Sequence, residues 1–210
     1  MVDRPGVQYH DAQIVSPGRM HMIVKPLVTA EELQHMPNPL DRRRELVDGE
    51  VVEVSPVTQW HGVIVLRIAK LIDDHVQSHD LGITTAGDVG YVLRRDPDLV
   101  RAPDVSFVAR DHVPESGPQR RGFSEGAPTL AVEVVSPDDR ASEVHAKVQD
   151  FLRAGTRQVW VLWPDRRSVS VYLPNADTRE LGPDAQLDGG ELLPDFSVRV
   201  GDLFDANPQS

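Results

Sequence analysis

The run Leu130-Ala-Val-Glu-Val-Val135 sets one ionisable carboxyl among five apolar residues. It has the length of a strand and is too apolar to be solvated, so Glu133 has to lie in a buried part of a sheet. An ionised carboxylate taken out of water costs several kcal/mol unless a cation or hydrogen bonds compensate it. Whatever fold this chain adopts must therefore bring a partner to Glu133.

Two partners can be read along the chain. Pro103-Asp104 opens a second apolar run, Val-Ser-Phe-Val108, and if that strand pairs with 130–135 both carboxylates emerge at one sheet edge. Downstream, Val144, Val148, Phe151 and Leu152 recur at helical spacing over about Ser142–Ala154, before Gly155, which suits a left-handed cap. Lys147 borders that stripe, so its stem can lie along apolar surface while its ammonium returns to the sheet edge, with Glu143 one turn earlier placed to orient it. Each of these residues also has a plainer reading: Asp104 as a turn residue, Glu143 and Lys147 as an exposed i, i+4 ion pair, Glu133 as half of a structural ion pair.

The remaining elements follow from period and punctuation. Residues 1–26, with Pro5, Pro17 and Pro26, read as a loosely held arm, and 27–206 as one domain. Thr29-Ala-Glu-Glu32 is a capping box opening a short helix that ends before Pro37. Glu45 to Val54 turns about Asp48-Gly49 as a hairpin. From His61 to about His79, Ile64, Val65, Ile68, Leu71, Ile72 and Val76 define one buried helical face. Strands are expected at 83–85, 89–93, 104–108 and 130–135, a further pair at 158–163 and 168–173, and 192–204 closes the chain. Strands before, between and after two helices make an α/β (α+β) fold, a mixed central sheet flanked by helices with additional hairpins.

Composition narrows the chemistry. With no cysteine, disulfides and thiolate ligands are excluded, and any metal site is built from carboxylates, histidines, carbonyls and water, which favours Mg²⁺ or Mn²⁺. His75 and His79 have zinc spacing on one helix, but the third ligand and glutamate of a metallopeptidase are missing. No Walker loop and no Gly-x-Ser-x-Gly elbow occurs. No apolar run is long enough to span a bilayer and no secretory pattern opens the chain, so the expected location is the cytoplasm. A net charge of −11 counts against nucleic-acid binding. The dense basic clusters, Arg42-Arg43-Arg44 and Arg120-Arg121, read as solvated surface or as a docking stripe.

An ordered series of short blocks resembles the Uma-two family of restriction-endonuclease-like proteins, within the PD-(D/E)XK nuclease superfamily. It runs through Arg44-Glu45-Leu-Val-Asp48-Gly49-Glu50, Ser55-Pro56 with His61, Ala102-Pro103-Asp104-Val105-Ser106, Leu130 to Pro137, Glu143 with Lys147, Gly155 with Val159-Trp160-Val161, and Leu193-Pro194-Asp195-Phe196. The resemblance implies a restriction-endonuclease-like fold and a Mg²⁺- or Mn²⁺-dependent endonuclease acting on DNA, with RNA as a second substrate class and a homodimer as its working form. In that reading Asp104, Glu133 and the backbone carbonyl of Val134 hold the metal, and Lys147 is the motif lysine, moved onto the following helix. Glu45 then completes the site or is a hairpin residue, and His61 points into the site or caps its helix. Three positions depart from the pattern: Val135 where the superfamily has lysine, Glu143 where the family has Asp, and Phe151 where it has Tyr. A catalytically inactive nuclease fold that binds nucleic acid or protein is the other class these residues allow.

Overall fold

The computed structural model of the protein describes residues 26–38, 43–87 and 89–205. Apart from Pro26, the arm expected over 1–26 lies outside the described residues, as do Arg42 and the domain's expected last residue, 206.

Local chemistry sets the first elements. Glu32 N donates to Thr29 Oγ1 at 3.2 Å and Thr29 N to Glu32 Oε2 at 2.8 Å, closing the capping box of α1 (Ala30–His35). Strands β1 (Arg44–Val47) and β2 (Glu50–Glu53) pair antiparallel about Asp48 and Gly49, whose φ values of 51° and 78° are the left-handed ones a two-residue hairpin turn requires. A Cβ on Gly49 would stand 2.7 Å from Leu27 Cβ. Gly49→Ala is therefore expected to destabilise the protein by about 1–2 kcal/mol. A urea midpoint equal to that of the native sequence would show that the turn does not need the glycine.

Helix α2 (Gln59–Ser78) begins two residues earlier than the sequence pattern places it, because Thr58 is its cap: Thr58 Oγ1 accepts the His61 N–H at 3.2 Å. Ile64, Ile68, Ile72 and Val76 form its buried face as expected. Strands β3 (Gly82–Ala86), β4 (Tyr91–Arg94), β5 (Leu99–Arg101), β6 (Val105–Ala109), β7 (Ser124–Glu125) and β8 (Leu130–Val134) lead to α3 (Ala141–Arg153). Beyond Gly155, at φ +104°, come β9 (Gln158–Trp163), β10 (Ser168–Tyr172), β11 (Arg179–Leu181), β12 (Gln186–Gly189) and β13 (Leu193–Arg199), then a tight turn of helix over Val200–Phe204.

The described strands form a mixed six-stranded sheet, β11-β10-β9-β8-β6-β3, a five-stranded one, β2-β1-β5-β4-β7, and the pair β12-β13. Side chains alternate across the six-stranded sheet. Val105, Phe107, Val132 and Trp160 pack with α2 on one face, while Ala131, Val159 and Val161 lie under Val144, Val148 and Phe151 of α3 on the other. Odd-numbered positions of β8 thus face α3, and Glu133 is among them. Strands β6 and β8 run antiparallel with Val105 opposite Val132, which sets Asp104, one residue before β6, across from Glu133.

Candidate active site and family membership

Both carboxylates arise where the sheet register puts them, and the backbone ties them together. Val134 N–H donates to Asp104 Oδ2 at 2.8 Å, so the peptide after Glu133 is bonded directly to Asp104. From α3, Lys147 Nζ reaches Glu133 Oε2 at 3.1 Å and Glu45 Oε1 at 3.0 Å, its side chain 17% exposed. The three expected core positions converge, and Glu45 of β1 joins them. Glu45 thus stands in the hairpin and beside the same lysine.

His61 does not cap α2. Its ring is buried, with Nε2 3.4 Å from Asp104 Oδ1 and Nδ1 3.2 Å from Ser136 Oγ. Glu143 does not orient Lys147 either. It is exposed and pairs with Arg140 at 3.8 Å, while Glu133 and Glu45 orient the lysine. His75 and His79 stack on each other with centroids 4.2 Å apart, and His75 meets the ring of Phe196 edge-on.

Two further groups belong to the site. Arg43, read from the sequence as one of a surface cluster, reaches Asp104 Oδ1 at 3.2 Å and Glu45 Oε1 at 3.5 Å and donates to the Ala102 carbonyl. Arg101, at the end of β5, donates to Glu45 Oε2 at 2.8 Å and grips Asp150 of α3 through Nε at 3.0 Å and Nη2 at 2.6 Å. Arg120 and Arg121 stay exposed. A cleft of about 720 Å³ opens over Glu45, Asp104, Glu133 and Lys147. Its wall is acidic: Asp and Glu outnumber Lys and Arg nine to three, with Glu50, Glu53, Asp138 and Asp139 toward the rim.

The buried charges do not behave alike. Burial pushes Glu133 up to about 7; Lys147 opposes the shift, and Asp104 and Glu45 add to it. Burial also raises Asp104, yet the His61 hydrogen bond, the Arg43 charge and the Val134 N–H together hold it below its ordinary value. For Glu45, burial is outweighed by Lys147, Arg101 and Arg43, and its carboxyl is held low. Lys147 is held charged because its two carboxylates outweigh its own desolvation. The Lys147–Glu133 pair is thus lopsided: an ammonium shared by two acids stays charged, while Glu133, with half of one cation and two acidic neighbours, is the group that yields.

Glu133 Oε1 is buried without a hydrogen-bond partner. That orphaned oxygen, beside Asp104, fits a divalent cation, and oxygen donors suit Mg²⁺ or Mn²⁺. Among the described residues no three His, Asp or Glu side chains are gathered as a ready cage. Mg²⁺ is commonly held through one or two carboxylates with water and phosphate as the remaining ligands, so a two-carboxylate site is sufficient.

The Uma2 family model, described as "Putative restriction endonuclease", matches residues 30–201. This chain belongs to the Uma2 family. The matched stretch takes in Glu45, Asp104, Glu133 and Lys147. Among solved structures, a protein of Anabaena variabilis described as a "putative nuclease belonging to DUF820" superposes with a TM-score of 0.74 at 22% identity, over 84% of this chain and 97% of that one, and so shares its fold. No curated protein matches the chain. The Uma2 fold is thus a mixed α+β one in which none of the described helices is long and apolar enough to cross a membrane.

Proposed function

We propose that this Uma2 protein is a divalent-cation-dependent endonuclease that hydrolyses phosphodiester bonds of DNA in the cytoplasm. One observation carries the reading: Lys147 bridges Glu133 and Glu45 beside Asp104, and Glu133 presents an unpartnered oxygen to the same cleft. Asp104 and Glu133, with the Val134 carbonyl, would hold Mg²⁺ or Mn²⁺, which when bound supplies Lewis-acid activation and neutralises phosphate charge. Asp104 is kept ionised by His61 and Arg43 and its geometry fixed by the Val134 N–H. Lys147 keeps its proton and places a positive charge where the transition state gains negative charge. Water replaces one ester oxygen on phosphorus, leaving a phosphate monoester at one end and a hydroxyl at the other.

The purified protein is expected to nick supercoiled plasmid in Mg²⁺ or Mn²⁺ and to stop when EDTA is added. DNA and RNA left intact across both metals, together with no Mn²⁺ uptake by calorimetry, would remove the enzyme reading. The acidic cleft wall favours a second reading, in which the same fold binds a basic partner and cuts nothing. Cleavage in Mn²⁺ decides between them.

A further inference from the structure

The imidazole of His61 lines the cleft and is buried between two partners of different kinds. Nε2 stands 3.4 Å from Asp104 Oδ1, and Nδ1 stands 3.2 Å from Ser136 Oγ. An uncharged imidazole carries its hydrogen on one nitrogen and a lone pair on the other. With the hydrogen on Nε2, the ring donates to Asp104 and the Ser136 hydroxyl donates to Nδ1. With the hydrogen on Nδ1, the ring donates to Ser136, and the Nε2 lone pair faces a carboxylate oxygen, which is repulsive unless a cation lies between them. A hydroxyl both donates and accepts, so Ser136 serves either tautomer without moving. Its backbone is held by Asp139, whose Oδ2 accepts the Ser136 N–H at 2.7 Å.

The second tautomer has the form of a metal-ligating histidine, one nitrogen on the ion and the other donating to a fixed acceptor. Neighbouring ligands of an octahedral ion lie about 3 Å apart at the bond lengths of Mg²⁺, close to the separation of Nε2 from Asp104 Oδ1. Arg43 reaches the same oxygen at 3.2 Å and also holds Glu45 and the Ala102 carbonyl. A carboxylate oxygen has two lone-pair sites, so the guanidinium does not close Oδ1 to an ion. On the divalent-cation reading, on which this rests, we propose that His61 is a ligand of the cation through Nε2, beside Asp104, with Ser136 as the positioning residue that takes the Nδ1 hydrogen. The consequence is ion choice. Mg²⁺ favours oxygen ligands, whereas a site that includes imidazole gains affinity for transition ions in the order Mn²⁺, then Co²⁺. Because no three His, Asp or Glu side chains are gathered among the described residues, one nitrogen ligand weighs heavily in that choice.

The test reads the ligand directly. Spin-echo spectroscopy of the native protein loaded with Mn²⁺ is expected to show the nitrogen coupling of a bound imidazole, and His61→Gln, which keeps an N–H for Asp104, is expected to lose it. By calorimetry the same variant should bind Co²⁺ about 10- to 100-fold more weakly while its Mg²⁺ affinity changes by about threefold or less. A His61 that only supports Asp104 would show no coupling, and its loss would weaken both ions alike. Mn²⁺ bound by the native protein without nitrogen coupling overturns the proposal and leaves the cation reading standing, whereas no Mn²⁺ uptake at all removes both. A coupling that persists in His61→Gln belongs to another imidazole and overturns the proposal as well. Ser136→Ala should keep the coupling and weaken Co²⁺ about tenfold, so it tests the arrangement even if the glutamine variant does not fold. Unchanged Co²⁺ affinity in that variant would remove Ser136 from its positioning role.

Discussion

Glu133→Gln is expected to abolish cleavage, by about 100- to 1000-fold or more, and at the same time to make the metal-free protein more stable at pH 8. Glu133 is an acid whose folded value, about 7, lies above its ordinary 4.5. Between those values the native state holds a proton that the unfolded state has released, so stability falls as pH rises through the window. Above pH 7 the full cost of an ionised, buried Glu133 is present, on the order of 3 kcal/mol. Glutamine has nearly the shape of the protonated acid and never ionises. The gain should therefore be largest at pH 8 and close to nothing at pH 5, measured by urea denaturation at both. Addition of Mn²⁺ should raise the melting temperature of the native protein and leave the variant unmoved, because a ligand stabilises only the state that binds it. A variant less stable than the native protein at pH 8 would show that Glu133 is a structural ion pair with Lys147 and no more. The predicted trade of stability for function is what an active site that stores a destabilised charge should display.

Much of this could be read from the chain because local rules act over short distances. The capping box at Thr29, the Asp48-Gly49 turn, the periodic face of α2 and the burial of Glu133 each depend on neighbours within a few residues, and each is found in place. The meeting of Asp104 with Glu133 needed only the pairing of two apolar runs. Arg43 and Arg101 were missed for a different reason: the carboxylates that tie them to the site, Asp104 for Arg43 and Glu45 for Arg101, lie 61 and 56 residues away, and a neighbouring Glu45 does not by itself distinguish an arginine in the core from one in water. The short strand that carries Arg101, β5, is three residues long and follows a turn-rich stretch, too little for a period to register. The one usable signal was Leu99-Val100 running directly into Arg101-Ala-Pro-Asp104, which places the arginine on the same buried path as a candidate ligand. Glu143 misled because i, i+4 spacing permits a pair without requiring one: Lys147 turns into the cleft, while Glu143 stays exposed beside Arg140, three residues before it.

Arg101 explains why Glu45 and Glu133, which share one lysine, part company. Glu45 has Lys147 on one oxygen and Arg101 on the other, whereas Glu133 has Lys147 alone, its second oxygen left for a cation. Arg101→Met should keep most of the stem's volume and remove the charge, leaving a carboxylate that is 2% exposed with too little compensation. Breaking a buried pair from one side costs about 3–5 kcal/mol, so the variant is expected to lose that much near neutral pH. The sign with pH is opposite to that at Glu133. Glu45 is held below 4.5 in the folded protein, so what it contributes is present above that value and is lost as pH falls through its lower folded one. The variant's deficit should accordingly be largest at pH 7 and shrink in acid, when the uncompensated carboxyl takes up a proton. Urea titrations at pH 7 and pH 4 distinguish this from loss of packing, which would give the same deficit at both. A deficit that grows in acid would mean that Arg101 does not set the charge of Glu45, and that the asymmetry between the two glutamates has another source.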